Sequence, residues 1–121
     1  MTNKDEVERF LKDFIFKLEF WGFSIRKDRS NPTNVNTLLA LEFDYTHVKK
    51  ILRELQCEDY SQGPVPDLLY KISDMWVFGK VIKGQEVYIK IQLGHPDSGA
   101  ICISFHFSEH PMNYPFKKTK K

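Results

Sequence analysis

The stretch that decides the fold is "MWVFGKVIKGQEVYIKIQLGHPDSGAICISFHF", residues 75–107. It holds three runs rich in β-branched and aromatic residues, separated by "KGQ" and "GHPDSG", which are connections of hairpin length. Three strands joined in this way form an antiparallel meander. Apolar residues take alternate positions in the second and third runs, so one face of the predicted sheet packs on the core and the other is not needed for it.

The polar positions of this alternation are the first candidates for function. Residues that lie opposite each other in an antiparallel pair share a face. The loop allows two registers, with Tyr88 opposite His106 in one and opposite Ser104 in the other. Whether Lys80 joins this face depends on whether the turn "KGQ" has two residues or three, which the sequence leaves open. In both registers this face holds Tyr88, Lys90, Gln92, Ser104 and His106, and the alternation of the last run also assigns Cys102 and Ser108 to it.

Upstream of the meander the sequence predicts helices. Residues 4–21 have apolar side chains at three- and four-residue steps and end before Gly22, as an amphipathic helix does. A second helix starts after Asp44, a plausible N-cap, and runs to about Gln56. Residues 23–28, "FSIRKD", form a short strand or an extended connection. The apolar positions of the first helix are Val7, Phe10, Leu11, Phe14, Leu18 and Trp21.

Two segments between these elements are less regular. "TLLALEF" (37–43) is too short to assign, and "EDYSQGPVPD" (58–67) is predicted to be a turn-rich linker because it contains two prolines and a glycine. The expected class is therefore α+β, with N-terminal helices packed on one face of an antiparallel sheet. We expect one domain over residues 1–121. The basic tail, residues 116–121, has no pattern that decides its order.

The composition of the chain limits the classes of protein to which it can belong. With 121 residues, 41% hydrophobic and 28% charged, the chain is an ordinary globular domain. No window approaches the roughly 20 apolar residues of a membrane span, and the polar N-terminus is unlike a signal peptide, so we expect a cytoplasmic protein without a membrane partner. Cys57 and Cys102 match no metal or redox spacing and are expected to be reduced thiols.

The charge is unevenly distributed along the chain. The formal net charge is +2, but residues 80–121 hold seven Lys against three Asp or Glu. A basic, strand-rich half is compatible with a partner that carries phosphates. The alternative for the Lys-rich tail is a contribution to solubility.

The polar face has the residue types for metal-free cleavage of an RNA phosphodiester. That reaction needs a base for the 2′-OH proton, an acid for the leaving 5′-oxygen and cations or donors around the phosphorane. We expect His106 as acid or base, Tyr88 as phosphate ligand or proton relay, and Lys90 with Lys80 as electrostatic stabilisers. Gln92 and Ser104 on the same face are candidate RNA contacts. The alternative reading is a solvated sheet face without chemistry.

Beyond the last strand, "SEHPMNYPF" adds further candidates. His110 is a possible second acid or base, and it follows His106 by four residues, a zinc-pair spacing in a helix but not at a strand end before Pro111. We therefore expect neither a metal nor a cofactor. Asn113 and Tyr114 are candidate RNA contacts, or else they cap and pack the end of the sheet. Trp76 could stack on bases, but its place in a strand favours the core.

The order "LLALEFDYTHVKKILRELQCEDYSQGPVPD", "MWVFGKVIKGQEVYIKI" and "ICISFH" resembles the MqsR family of bacterial type II toxins, from about residue 29 to residue 106. The resemblance implies a RelE-like fold, cleavage of mRNA without metal, either free or on the ribosome, and neutralisation by a cognate antitoxin. The family's catalytic tyrosine falls on Tyr88 and the following lysine on Lys90. The serine and the aromatic of its last strand fall on Ser104 and Phe105.

Two positions depart from the family pattern. Gln62 stands where a catalytic lysine is expected, and Val77 stands where a catalytic glutamine is expected. Either catalysis has moved to Lys80, His106 and His110, with Gln62 left as an RNA contact, or the chain has another role. The alternatives are an inactive toxin-fold module that binds another protein, and a protein that binds nucleic acid without cleaving it.

Overall fold

The computed structural model describes residues 2–26 and 32–117. The described elements are three α-helices, α1 (Lys4–Trp21), α2 (Thr33–Leu41) and α3 (Tyr45–Arg53), a short 3₁₀ helix (Cys57–Asp59), and five strands, β1 (Phe23–Ile25), β2 (Tyr60–Val65), β3 (Met75–Ile82), β4 (Gln85–Gln92) and β5 (Ala100–Phe107). Within these residues the strands form one mixed sheet in the order β1-β5-β4-β3-β2. The predicted α+β class is confirmed, with one correction: β1 runs parallel to β5, so the sheet is not purely antiparallel.

Helix α1 has the predicted bounds. The Asn3 side chain accepts from the backbone N–H of Glu6, and the Glu6 carboxylate accepts from the Asn3 N–H, so two free N–H groups of the first turn are paired. Gly22 ends the helix with φ of 77°, which a residue with a side chain rarely adopts. Trp21 continues the apolar spacing of the helix, but half of its surface is exposed, and its ring contacts the exposed ring of Phe20 instead of the core.

Helix α3 begins as predicted, with the Asp44 side chain accepting from the His47 N–H, but it ends at Arg53. Helix α2 occupies part of the unassigned segment and covers the edge of β5 beyond β1. The Asn34 side chain accepts from Phe105 N at 3.0 Å and donates to Ile103 O at 2.9 Å. Because these contacts pair backbone groups that a further strand would pair, the edge is closed to other chains.

The predicted linker at 58–67 is wrong, because it contains strand β2. This edge strand pairs with β3 irregularly, with Tyr60 opposite Phe78, Gln62 opposite Val77, and shifts in register on both sides of Gln62. An edge strand tolerates proline, since the missing N–H can face away from the sheet. The sheet thus gains a fourth antiparallel strand where the sequence had indicated turns.

The β3–β4 turn has two residues, Lys83 and Gly84, with φ of 51° and 81°. Positive φ at both positions gives the tight turn whose twist matches that of the strands. Tyr88 lies opposite Gly79 as a result, and Lys80 lies opposite Val87.

The β4–β5 pair has the first of the two predicted registers, with Tyr88 opposite His106 and Lys90 opposite Ser104. A bulge then shifts the pairing, so Gln92 lies opposite Ile101. The assignment of Cys102 to the polar face is therefore wrong, because one extra residue in a strand moves the following side chains to the other face. Cys102 is a free thiol buried in the core, and burial raises its pKa to about 12.

The two faces of the sheet differ in their cover. Helices α1 and α3 bury their apolar sides against the inner face, which carries Phe78, Ile89 and Phe105. The opposite side, the outer face, carries Tyr88, Lys90 and His106. None of the helices in the described residues is long and apolar enough to cross a membrane.

The C-terminal segment (residues 108–117) lies across part of the outer face. Its Met112 N–H donates to one carboxylate oxygen of Glu86 at 3.0 Å, and the Tyr114 hydroxyl donates to the other at 2.6 Å. Phe116 then stacks on Tyr60, with 5.4 Å between ring centroids. Phe116 is therefore part of the packed structure rather than of a free tail, and residues 118–121 of the predicted tail lie outside the described residues.

Candidate functional site

A cleft of about 560 Å³ opens on the outer face, between the sheet and the C-terminal segment. Strands β2 to β5 supply its base and the segment supplies one wall. The cleft is lined by Ser61, Gln62, Val77, Tyr88, Lys90, Ser104, His106 and residues 108–113.

Strand β3 lies in the base of the cleft, and its outward positions there are Val77 and Gly79. Val77 lies between Gln62 and Lys90 in the sheet, and it is almost completely buried. A Cβ at Gly79 would overlap the Tyr114 hydroxyl and lie 2.8 Å from Met112 Sδ. The missing side chain at Gly79 is therefore what lets the C-terminal segment approach the sheet.

Tyr88 and His106 form the centre of the site. Their rings stack with 5.1 Å between centroids and an interplanar angle of 12°. His106 Nδ1 lies 3.0 Å from Phe107 O. Because a carbonyl oxygen can accept but not donate, Nδ1 carries the proton in this contact, and in the neutral ring Nε2 then has the free lone pair.

Lys90 is the cation of the cleft. Its Nζ lies 5.9 Å from the centroid of the Tyr88 ring, within cation–π range. Within the described chain no carboxylate pairs with this ammonium, so its charge is available to an anionic ligand. Burial raises the pKa of the Tyr88 hydroxyl above its usual value, so this group keeps its proton and can donate a hydrogen bond to an anion.

The wall formed by the C-terminal segment carries a second histidine, His110. The Ser108 hydroxyl donates to the His110 carbonyl oxygen and closes a tight bend that starts at the end of β5. The Ser108 N–H donates to Glu86 O at 2.9 Å, so the bend is also fixed to β4. His110 thus lines the same cleft as His106, although His106 is on the sheet and His110 is on the C-terminal segment.

Most of the predicted site residues meet in this cleft. Strand β2, which the sequence had indicated as a linker, brings Gln62 to one side, and the C-terminal segment brings Asn113 to another. The predicted residues that line the cleft are Gln62, Tyr88, Lys90, Ser104, His106, His110 and Asn113.

Lys80 is outside the cleft, so the expectation that it acts with Lys90 is wrong. The two-residue turn gives Lys80 the parity of the inner face, opposite Val87. There its Nζ forms an ion pair with Asp59 Oδ2 at 3.2 Å.

Gln92 is on the outer face but completely buried, which corrects its assignment as an exposed RNA contact. Residues 67–73 cover it: its Nε2 donates to Asp67 Oδ2 at 3.2 Å and to Ser73 O at 3.1 Å. Its Oε1 has no hydrogen-bond partner among the described residues. The side chain therefore fixes a loop to the sheet and cannot contact a ligand in the cleft.

Tyr114 does not line the cleft either. Its hydroxyl is engaged by Glu86, and burial followed by this contact raises its pKa. Of the two predicted readings of Tyr114, the structural one therefore agrees with its contacts. Trp76 lies on the inner face, where it stacks on Phe10 with 4.6 Å between centroids, as the core interpretation predicted.

Besides Val77, five lining residues were not predicted as site residues: Ser61, Ser108, Glu109, Pro111 and Met112. Ser108 continues the alternation of β5 and was assigned to the polar face, but not to the site. Ser61 depends on recognising β2, whose proline and glycine conceal it. Glu109 and Met112 belong to a segment without periodic structure, so nothing in the sequence pattern places them.

Among the described residues no group of three or more His, Cys, Asp or Glu is arranged to hold a metal ion. No protein-family model matches the chain, and the comparisons with curated proteins and with solved structures give no match either. The side chains of the cleft are therefore the basis for inferring a function.

Proposed function

We propose that this protein is a metal-independent endoribonuclease that cleaves RNA through attack of the 2′-hydroxyl on the adjacent phosphorus. The observation that carries the proposal is the meeting of two histidines, a lysine without an ion-pair partner in the described chain and a protonated tyrosine in one cleft. These groups supply the base, the acid and the charge stabilisation that the reaction requires.

In this proposal His106 is the general base. Its Nδ1–H is engaged by Phe107 O, so the lone pair of Nε2 accepts the proton of the 2′-hydroxyl. The 2′-oxygen then forms a bond to phosphorus, and negative charge accumulates on the non-bridging oxygens. The ammonium of Lys90 and the hydroxyl of Tyr88 stabilise that charge.

His110 is the general acid of the proposal. Its protonated imidazole gives a proton to the 5′-oxygen as the bond from phosphorus to that oxygen breaks. The products are a 2′,3′-cyclic phosphate and a free 5′-hydroxyl, so the proton taken from the 2′-hydroxyl is balanced by the proton given to the leaving group. The base is on the sheet and the acid is on the C-terminal segment, which lets the phosphate lie between them.

The biological setting follows from the resemblance to the MqsR family. We propose a RelE-like toxin that acts on mRNA in the cytoplasm and is neutralised by an antitoxin. The departures at Gln62 and Val77 are consistent with a site in which His106 and His110 carry proton transfer. Gln62 and Val77 then line the cleft without taking part in the chemistry.

The test compares purified wild-type protein with the double variant Tyr88→Phe/His106→Ala, with and without ribosomes. We expect wild type to leave 2′,3′-cyclic phosphate and 5′-hydroxyl ends, mapped by sequencing the RNA fragments. Loss of the base should lower the rate by about 10²- to 10⁴-fold, and expression of the double variant should no longer arrest growth. His95→Ala is the control, because His95 is an exposed loop histidine that does not line the cleft.

If wild type leaves RNA intact in both settings and the double variant arrests growth as wild type does, the proposal is wrong. Tight binding of a protein partner that is unaffected by His106→Ala would then identify an inactive toxin-fold module. Salt-dependent RNA binding without cleavage would identify a nucleic-acid-binding protein.

A further inference from the structure

The part of the cleft farthest from the catalytic groups has its own chemistry. Across the sheet, residues lie in the order Ser104, Lys90, Val77 and Gln62, on four neighbouring strands. Neighbouring strands are about 4.8 Å apart, so the backbone positions of Lys90 and Gln62 are separated by about 10 Å. Val77, between them, has a short side chain and is almost completely buried, so a ligand in this space is bordered mainly by the longer side chains of Lys90 and Gln62.

Two side-chain amides border this space from different directions. Gln62 reaches it from β2 and Asn113 from the C-terminal segment. Both residues are exposed, and neither side chain has a hydrogen-bond partner within the described chain. Each therefore offers a donor and an acceptor to a ligand at no cost in existing hydrogen bonds.

We propose that this space is a base-reading subsite for an unpaired adenine, with the base between Lys90 and Gln62 and its polar edge against Gln62 and Asn113. A primary amide matches the adjacent donor and acceptor that adenine presents at N6 and N7. Arginine, whose fork selects guanine, is absent from the residues that line the described cleft, and Lys90, which could also contact guanine, is assigned to the scissile phosphate. The proposal rests on the proposed function, because the nuclease site fixes the scissile phosphate over Lys90 and His106.

The geometry also determines which form of RNA can bind. A base that lies between Lys90 and Gln62 and whose polar edge is bound by the protein cannot be stacked in a duplex or paired with another strand. The substrate is therefore single-stranded at the cleavage site. Met112, held above Gly79, borders the subsite on the side of the C-terminal segment.

The first experiment measures binding of adenosine, guanosine, cytidine and uridine 3′-monophosphates by calorimetry. We expect wild type to bind the adenosine compound about tenfold more tightly than the uridine compound, in line with one well-placed amide contact. Gln62→Ala/Asn113→Ala should bind all four with the weaker affinity. Gln85→Ala is the matched control, because Gln85 is an exposed glutamine at the β3–β4 turn, and it should keep the preference.

The second experiment measures cleavage of single-stranded RNAs that differ in one nucleotide beside the cleavage site, together with a duplex of the same sequence. We expect preferred cleavage next to adenine in wild type, loss of that preference in the double variant and no cleavage of the duplex. Equal binding and cleavage for all four bases, or a preference that survives the double variant, overturns the subsite. That result leaves the nuclease standing, whereas adenine-selective binding without cleavage removes the nuclease and keeps the subsite.

Discussion

Lys90 and Gln92 are two residues apart on the same strand and face the same side of the sheet, yet their surroundings are opposite. Lys90 lies in the open cleft without an ion-pair partner in the described chain, whereas Gln92 is completely buried and donates two hydrogen bonds. We call these regions the open end and the closed end of the outer face. The difference arises from chain segments that are remote in sequence, residues 67–73 at one end and 108–117 at the other.

Polar residues on one face of the sheet divide between structural and functional roles. At the closed end the Asp67 carboxylate accepts from Tyr70 N and from Gln92 Nε2, so buried polar groups are largely paired with each other. At the open end Lys90, Gln62 and Asn113 have side-chain groups that the described chain leaves available. Polar groups that a fold does not use internally are the ones that can bind a ligand.

The largest expected effect comes from disturbing the wall of the open end with Gly79→Ala. The new Cβ would overlap the Tyr114 hydroxyl and crowd Met112 Sδ, so the C-terminal segment must move away from the sheet. A shift of about 1 Å in a catalytic group can lower a rate by about 10²-fold, so we expect RNA cleavage to fall by about that factor. Overpacking should also lower the free energy of unfolding by about 1–3 kcal/mol.

The matched control for this prediction is Gly79→Ala/Tyr114→Phe, in which the most crowded atom is removed. We expect it to recover part of the lost rate, measured as initial rates of cleavage of one single-stranded RNA. A wild-type rate in Gly79→Ala would contradict the role of the C-terminal segment as a wall of the active cleft.

Disturbing the closed end should affect stability rather than cleavage. Asp67→Ala removes the acceptor of the partly buried Tyr70 N–H and one of the two hydrogen bonds of the buried Gln92 Nε2, which keeps its bond to Ser73 O, and each donor left unpaired by burial costs about 1–3 kcal/mol. We expect the free energy of unfolding in urea to fall by about 3 kcal/mol. Asp74→Ala, at an exposed position of the same loop, should change it by less than about 0.5 kcal/mol.

The two ends should then respond independently. At a temperature where Asp67→Ala is folded, its RNA cleavage rate should match that of wild type. A large loss of cleavage in the folded variant would show that the closed end also shapes the cleft, and the division between the two ends would be wrong.

The arrangement of residues at the open end was easier to predict from the sequence than that at the closed end. Alternation along β4 and β5 and a loop of even parity are enough to put Tyr88, Lys90, Ser104 and His106 on one face, although they left two registers open, of which the structure has the one with Tyr88 opposite His106. The same alternation fails beyond Lys90, because the bulge in β5 moves Cys102 to the inner face. A bulge depends on how a strand pairs with its neighbours, and here β5 also pairs with β1, whose existence the sequence left open.

Other errors have equally local causes. The parity of Lys80 depended on a turn in which Lys83, a residue with a side chain, adopts positive φ. The burial of Gln92 was not predicted, because the loop that covers it, residues 67–73, has no periodic structure. Residues 27–31, which include the end of the segment "FSIRKD", lie outside the described residues.

The smallest expected effect is a change in pH dependence at the closed end. The backbone N–H of Tyr70, followed by the Gln92 side chain, stabilises the charged form of Asp67 and holds its pKa below the ordinary value for an aspartate. The unfolded chain therefore binds this proton more readily than the folded chain does. The stabilisation is complete above the unfolded pKa of about 4 and is lost as the pH falls through the lower folded pKa.

Asp67→Asn removes this titration while it keeps the shape of the side chain. We expect the free energy of unfolding of the variant to fall less between pH 7 and pH 3 than that of wild type, as measured by urea titrations at both values. Asp44→Asn is the comparison, because the pKa of Asp44 is also lowered, mainly by the His47 N–H, but at an exposed helix cap on another part of the surface. An identical pH dependence in wild type and Asp67→Asn would mean that the Asp67–Gln92 contact does not hold the closed end together as a charged hydrogen bond.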